Sequence, residues 1–283
     1  MINENTKHIL CFSGGHESAV TALNVAAKYG TENMILVNHN INNKKEVADI
    51  KRFKKEVADF LGLPITYANF KDILDDELIP DQFDICISEG QMTTPKGDHI
   101  CTSRLKTKPF IKYLENNHAD HNCIIYYGFN KKEKKRVVRR SSFWAAKGFV
   151  TAYPNFNWPD NKYTSTLQVG ITPPLTYEIW EHANCIGCLK AGLLHWYVVY
   201  CTDIETYRKA ILMEDEVDYT IHTITVKGVK TAITLRELMP LYCQIKALGV
   251  KPNENQNKIK FGRALKRLGV SEDKIFKPCD CHI

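Results

Sequence analysis

The run Cys11-Phe12-Ser13-Gly14-Gly15-His16-Glu17-Ser18 leaves few folds open. It continues a short apolar stretch, His8-Ile9-Leu10-Cys11-Phe12, and leads into Ser18 to Tyr29. That second stretch carries apolar residues at Val20, Leu23, Val25, Ala26 and Ala27, so the pattern reads as strand, tight turn and helix. Two glycines let the backbone turn sharply and approach an anion closely. The free N–H groups and positive dipole end of the helix favour phosphate. Ser13 and Ser18 add hydroxyl donors, and His16 lies within reach of the same anion. A serine-capped turn before an ordinary helix fits these residues equally well.

The rest of the first half repeats the alternation. Met34 to Asn38, Pro64 to Ala68 and Cys123 to Gly128 read as strands. Glu46 to Leu61 and Phe110 to Asn116 read as helices. Strands alternating with helices predict an α/β fold, a doubly wound and mostly parallel sheet covered on both faces. After about Val150 the pattern changes. Tyr153 to Tyr177 is rich in Pro, Asn, Trp and Thr and reads as irregular. Tyr207 to Glu216, Thr234 to Leu248 and Asn257 to Leu268 read as helices, and Ile224 to Val226 as a strand. The expected division is a nucleotide-binding domain over 1–215 and a smaller, mainly helical unit over 216–283.

The loop resembles the Ser-Gly-Gly-x-Asp-Ser loop of PP-loop enzymes, the adenine nucleotide alpha-hydrolase-like (HUP) superfamily, with Glu17 in place of the usual Asp. Three further segments are similar to the phosphoadenosine-phosphosulfate reductase branch. Leu36-Val37-Asn38-His39-Asn40 stands where that branch carries Asp-Thr-Gly. Cys101-Thr102-Ser103-Arg104-Leu105-Lys106 leads to Pro109, and Gly128 is followed by Glu133 and Arg136. The resemblance covers roughly residues 8 to 200. It implies ATP or a related adenylated nucleotide as ligand, held by Ser13, Gly14, Gly15, His16, Ser18, Val37, Asn38 and Gly128, with Mg²⁺ neutralising the phosphates. It also implies catalytic roles for Glu17, Lys106, Arg136 and Cys101. Lys106, Lys108 and Arg136 are the cations placed to stabilise charge on phosphate oxygens.

Ten cysteines is a high count, and their spacing matters more than their number. Cys185-Ile186-Gly187-Cys188 can bind a metal or act as a redox pair. Cys279 and Cys281 supply a second pair, so Cys185, Cys188, Cys279 and Cys281 together suit a [4Fe-4S] cluster or Zn²⁺. Cys101 competes as a ligand or as a reactive thiol, since nearby Lys106 and Lys108 favour a thiolate.

The last helix gathers Lys258, Lys260, Arg263, Lys266 and Arg267, similar to the winged-helix units of some phage primases and helicases. It makes DNA or tRNA a candidate partner. A net charge of +6 agrees with anionic ligands. No stretch approaches the roughly 20 apolar residues of a membrane helix, and the first residues lack a secretory layout. A cytoplasmic protein is expected, and a homodimer is compatible with the sequence. The expected function is ATP pyrophosphatase chemistry that adenylates a target, in thiolation or another modification of nucleic acid. The alternatives are a sulfonucleotide reductase and a binding module without turnover. Against the reductase, the Cys-x-Cys-His ending is not the tail with one nucleophilic cysteine that such enzymes carry.

Overall fold

The computed structural model describes residues 3–271 apart from residues 96, 184 and 227. Five strands, β1 (Lys7–Cys11), β2 (Met34–Asn38), β3 (Ile65–Tyr67), β4 (Cys123–Tyr126) and β5 (Val150–Ala152), form one sheet in the order β3-β2-β1-β4-β5. Every pairing in it is parallel. Side chains alternate between its faces, as the period of two requires. Leu10, Phe12, Leu36, Ile124 and Tyr126 enter one apolar cluster, and Ile9, Cys11, Val37, Ile125 and Tyr127 enter another. Burial on both faces explains why these strands read as unbroken apolar runs rather than alternating ones.

The helices of eight residues or more are α1 (His16–Tyr29), α2 (Ala48–Leu61), α3 (Gln82–Glu89), α4 (Lys108–Asn117), α5 (Lys134–Ala145), α6 (Leu193–Thr202), α7 (Ile204–Val217), α8 (Leu235–Ala247) and α9 (Lys258–Arg267). The chain runs outward from β1 through β2 to β3, then returns to the other side of β1 as β4 and β5. The switch therefore lies between β1 and β4, where open parallel sheets bind ligands beyond the strand carboxyl ends. The phosphate loop leaves β1 there, and Gly128 follows β4.

A second core gathers α3, residues 100–105 and α6 to α9. Trp196, Tyr197, Tyr207 and Tyr242 are fully buried in it. The buried phenols satisfy themselves on backbone: Tyr207 donates to the Leu235 carbonyl at 2.6 Å and Tyr242 to that of Leu193 at 3.0 Å. Strands β6 (His222–Val226), β7 (Val229–Ile233) and β8 (Val270–Ser271) make a small antiparallel sheet beside it. Sequence pattern missed β5, β7, β8, α3, α5 and α6. β7 escapes because it is exposed almost throughout, so no alternation marks it.

Candidate functional site

The phosphate loop is shaped by what packs beneath it. Gly14 has φ +81°, a left-handed value that suits glycine, and a Cβ there would meet Ile50 Cγ2 at 2.7 Å and Lys54 Cγ at 2.8 Å. Lys54 is 2% exposed, and its ammonium is held by Glu46 at 2.8 Å and the Asn38 side chain at 3.3 Å. Asn38 in turn donates to the Phe12 carbonyl, tying the end of β2 to the loop. Gly15 is the N-cap of α1, and no side chain caps the helix there. Ser18 Oγ donates to the Gly15 carbonyl at 2.7 Å, and Ser13 Oγ to Ser18 Oγ at 3.2 Å. Gly128 presses on the start of α1 so closely that a Cβ would sit 2.7 Å from Ser18 N and 2.8 Å from the Glu17 carbonyl.

A cavity of about 520 Å³ opens over this loop, with Ser13, Gly15, His16, Glu17 and Ser18 on its floor. Gly128, Glu133 and Arg136 form one wall, and Tyr177, Glu181, His182 and Ala183 another. Arg136 pairs with Glu133 and lies 4.4 Å from the centre of the Phe129 ring. Glu133 also accepts from Asn130 N at 2.9 Å, so the Arg136 guanidinium is aimed by a braced carboxylate. Glu17 accepts from Asn155 at 2.9 Å. Burial pushes the Glu17 carboxyl above its ordinary range, and the nearby Glu133 charge adds to this. Two carboxylates beside a phosphate loop suit a magnesium ion, which commonly takes one or two carboxylates and completes its shell with phosphates and water. Tyr177 accepts from His16 N at 3.0 Å, and His16 Nε2 accepts from Thr166 N at 3.4 Å. His16 is thus anchored to the 165–166 turn as well as bordering the cavity.

The structure brings Cys101, Cys185 and Cys188 to one small cavity, together with Asn42, Gln82 and Lys106. Its accessible volume is about 20 Å³, space for about one water-sized atom. The Cys-x-x-Cys turn is pinned from three sides. Gln82 donates to the Ile186 carbonyl at 2.8 Å, Ile186 N donates to the Lys45 carbonyl at 3.0 Å, and His195 Nε2 accepts from Gly187 N at 3.2 Å and Cys188 N at 3.3 Å. Gly187 has φ +73°, and a Cβ would meet Thr206, Phe83 and Trp196. Ala183 lines the phosphate-loop cavity and Cys185 the thiol cavity, two residues apart along the chain. Two residues span at most about 7 Å, so the cavities are neighbours.

Against this geometry, residues 6–143 match the family model described as the tRNA methyl transferase HUP domain. The N-terminal half of the chain is a PP-loop domain of the adenine nucleotide alpha-hydrolase-like superfamily. The chain is 27% identical over 141 residues to the tRNA-specific 2-thiouridylase MnmA of Streptococcus equi subsp. zooepidemicus (strain MGCS10565), across 48% of this chain and 37% of that protein. It is 28% identical over 137 residues to the MnmA of Limosilactobacillus reuteri (strain DSM 20016), across 47% of this chain and 35% of that protein. The chain therefore matches little more than a third of the length of these curated relatives.

Within the PP-loop domain the sequence-predicted ligands divide. Ser13, Gly15, His16, Glu17, Ser18, Gly128 and Arg136 border the nucleotide cavity. Gly14, Val37 and Asn38 stand behind it: Gly14 turns the loop, Val37 accepts from Phe12 N at 2.8 Å, and Asn38 braces Phe12 and Lys54. Lys106 borders the thiol cavity with Cys101 instead of the phosphate loop, because the 103–107 turn carries it to that side. Lys108 is exposed. Among the described residues no group of three or more His, Cys, Asp or Glu is arranged to hold a metal ion. Cys279 and Cys281, the other half of the expected four-thiolate set, lie outside the described residues. No helix among the described residues is long and apolar enough to cross a membrane. Sequence reasoning missed Asn155, Gln82 and His195. Their roles are backbone and carboxylate hydrogen bonds across 138, 104 and 7 to 8 residues, which no local spacing announces.

Proposed function

We propose that the chain is an ATP-dependent adenylating enzyme that exchanges a carbonyl oxygen of a nucleic-acid base for sulfur, with tRNA as the expected acceptor. The observation that carries this reading is the adjacency of a phosphate-loop cavity and a three-cysteine cavity, whose linings include Ala183 and Cys185, two residues apart in the chain. The base oxygen attacks the α-phosphorus of ATP and pyrophosphate leaves. A cysteine persulfide, its outer sulfur loaded by an external sulfane-sulfur donor, then attacks the activated carbon, and AMP departs with the oxygen. The α1 N-terminus and Arg136 meet the phosphates, Glu17 and Glu133 would hold a magnesium ion, and Cys101, Cys185 and Cys188 are the candidate sulfur carriers. When bound, the ion neutralises the triphosphate and eases departure of pyrophosphate. A thiol beside the carrier allows release of the sulfur by disulfide formation, reset by a cellular thiol. A cytoplasmic, reducing setting suits this use of cysteine. The identity of the relatives favours adenylation over the reductase alternative.

The test supplies ATP labelled at the α-phosphate, Mg²⁺, unmodified tRNA and a persulfide donor. Equimolar AMP and pyrophosphate are expected, and ADP with orthophosphate would overturn the reading. Cys101→Ser is expected to keep pyrophosphate release while losing sulfur incorporation. Three thiols around one cavity also favour a second reading, a metal or cluster site closed by the tail cysteines. Iron and zinc analysis of anaerobically purified protein decides it, since either metal at one equivalent or more per chain supports this reading and its absence removes it.

A further inference from the structure

Two more cavities, of about 320 and 340 Å³, share Gly97, His99 and Lys190 and so adjoin, the two together making a cleft. One end is walled by Arg139, Arg140 and Phe143 of α5, the other by Tyr219 and by Lys230 of β7. Among the described residues it is lined by four cations, Arg139, Arg140, Lys190 and Lys230, each of which also has an interaction within the protein, and by one carboxylate, Asp98. The nucleotide cavity differs in sign, with Glu17, Glu133 and Glu181 against Lys132 and Arg136. Phe143 is 36% exposed and Tyr219 46%, so a part-exposed aromatic ring lies at each end of the cleft. Thr102 and Leu189 border both the cleft and the thiol cavity, beside Cys101 and Cys188 in the chain.

We propose that this cleft holds single-stranded nucleic acid, cations on the phosphodiester backbone and aromatics under bases, so that one base is presented over the thiol cavity. A positive groove with interleaved aromatic rings is the arrangement that binds single strands with little regard to sequence. A duplex is read by an element that protrudes into a groove, whereas this surface is concave. The outer face of α9 exposes Lys260, Arg263, Lys266 and Arg267, but it is convex and borders none of these cavities, so its contribution is general attraction. The proposal rests on the adenylating reading of the neighbouring cavity and names where its acceptor lies.

The experiment measures anisotropy of a fluorescein-labelled, unstructured 12-nucleotide RNA with the full chain at several salt concentrations. ATP binding is measured in parallel by calorimetry, and thermal melting confirms that each variant is folded. The double variant Lys190→Ala, Lys230→Ala is expected to reduce the log–log salt slope by about 1.4, since each phosphate contact to a single strand contributes about 0.7. Tyr219→Ala is expected to weaken RNA binding about tenfold through lost stacking. Lys260→Ala with Arg263→Ala is expected to change it less than the cleft pair does. Loss confined to the α9 variant would overturn the proposal. So would poly-glutamate binding that drops in the Lys190/Lys230 variant as much as RNA binding while Tyr219→Ala leaves RNA binding unchanged, because that describes a surface for an acidic protein. ATP binding without any RNA binding removes the cleft assignment and leaves adenylation standing. RNA binding through the cleft without ATP binding supports the cleft and removes the adenylation reading.

Discussion

The nucleotide cavity and the basic cleft are both proposed to take anions, yet they offer charge from different parts of the chain. Over the phosphate loop the donors are backbone N–H groups at the start of α1, and the shape depends on Gly14 and Gly128. In the cleft the charge sits on the long side chains of Arg139, Arg140, Lys190 and Lys230. Backbone donors are fixed by the fold and tolerate no added atom. Side-chain cations adapt to a variable strand, and salt screens them. The first arrangement suits one small ligand of constant geometry, and the second suits a polymer whose sequence varies.

The sharpest break of this comparison is Gly14→Ala. It forces a side chain into a left-handed conformation and against Ile50 and Lys54, whose packing shapes the loop. Overpacking and an unfavourable φ together cost about 3 kcal/mol or more. ATP affinity measured by calorimetry is expected to fall at least 100-fold, while RNA affinity in the cleft stays within threefold. Equal loss of both would mean that the two sites are one structural unit.

Salt separates the two arrangements next. With four cations on phosphates, the RNA slope is about −2.8, which amounts to roughly a 50-fold loss between 50 and 200 mM salt. ATP binding is expected to change far less, since fixed backbone donors meet its phosphates at short range. Parallel titrations that gave equal salt slopes would erase the distinction.

The thiol cavity belongs to the backbone-fixed class, and His195 tests this. Its Nε2 accepts both Gly187 N–H and Cys188 N–H, and it is 2% exposed. His195→Ala leaves two buried donors without that acceptor, at about 2 kcal/mol of stability measured by denaturant unfolding. His195→Gln, which keeps an acceptor, is expected to recover part of it. An unchanged unfolding midpoint for the alanine variant would show that water replaces the ring.

How much of this was legible in the sequence follows the same division. The phosphate loop is local: Ser13 to Ser18 are consecutive, so strand, turn and helix can be read together, and β1, β2 and β4 announce themselves as apolar runs. Gly128 and Arg136 were found through a spaced motif of the same local kind. The thiol cavity joins Cys101 to Cys185 and Cys188 only because α3, residues 100–105 and α6 share one core. Gln82 and His195, which pin the turn, carry no marker of their own. The cleft is less legible still, since Arg139, Arg140, Lys190 and Lys230 come from three distant segments. The sequence has two basic runs: residues 131–140, whose Arg136, Arg139 and Arg140 border cavities, and α9, which borders none of the cavities described. Charge density along a chain does not report concavity.

The smallest effect concerns the wall that carries Tyr219 and Lys230. Glu214 at the end of α7 accepts Ile221 N at 2.8 Å and Leu235 N at 2.6 Å, bracketing the β6–β7 hairpin. Burial pushes its carboxyl up from 4.5 to about 7, despite these two bonds. The folded state therefore holds a proton that the unfolded chain releases near pH 4.5. Its contribution to stability is full below about pH 4.5 and is lost as the pH rises to about 7. Glu214→Gln removes the titrating charge but turns an NH₂ toward one of the two N–H donors, so half of the bracket is sacrificed. The net gain at pH 8 is about 1 kcal/mol, what remains of a desolvation cost of order 3 kcal/mol after one buried bond is lost. Urea unfolding from pH 5 to 8 should show a falling stability that flattens in the glutamine variant. If both proteins fall in parallel, the hairpin is anchored by something other than this carboxyl, and the cleft wall does not depend on its protonation.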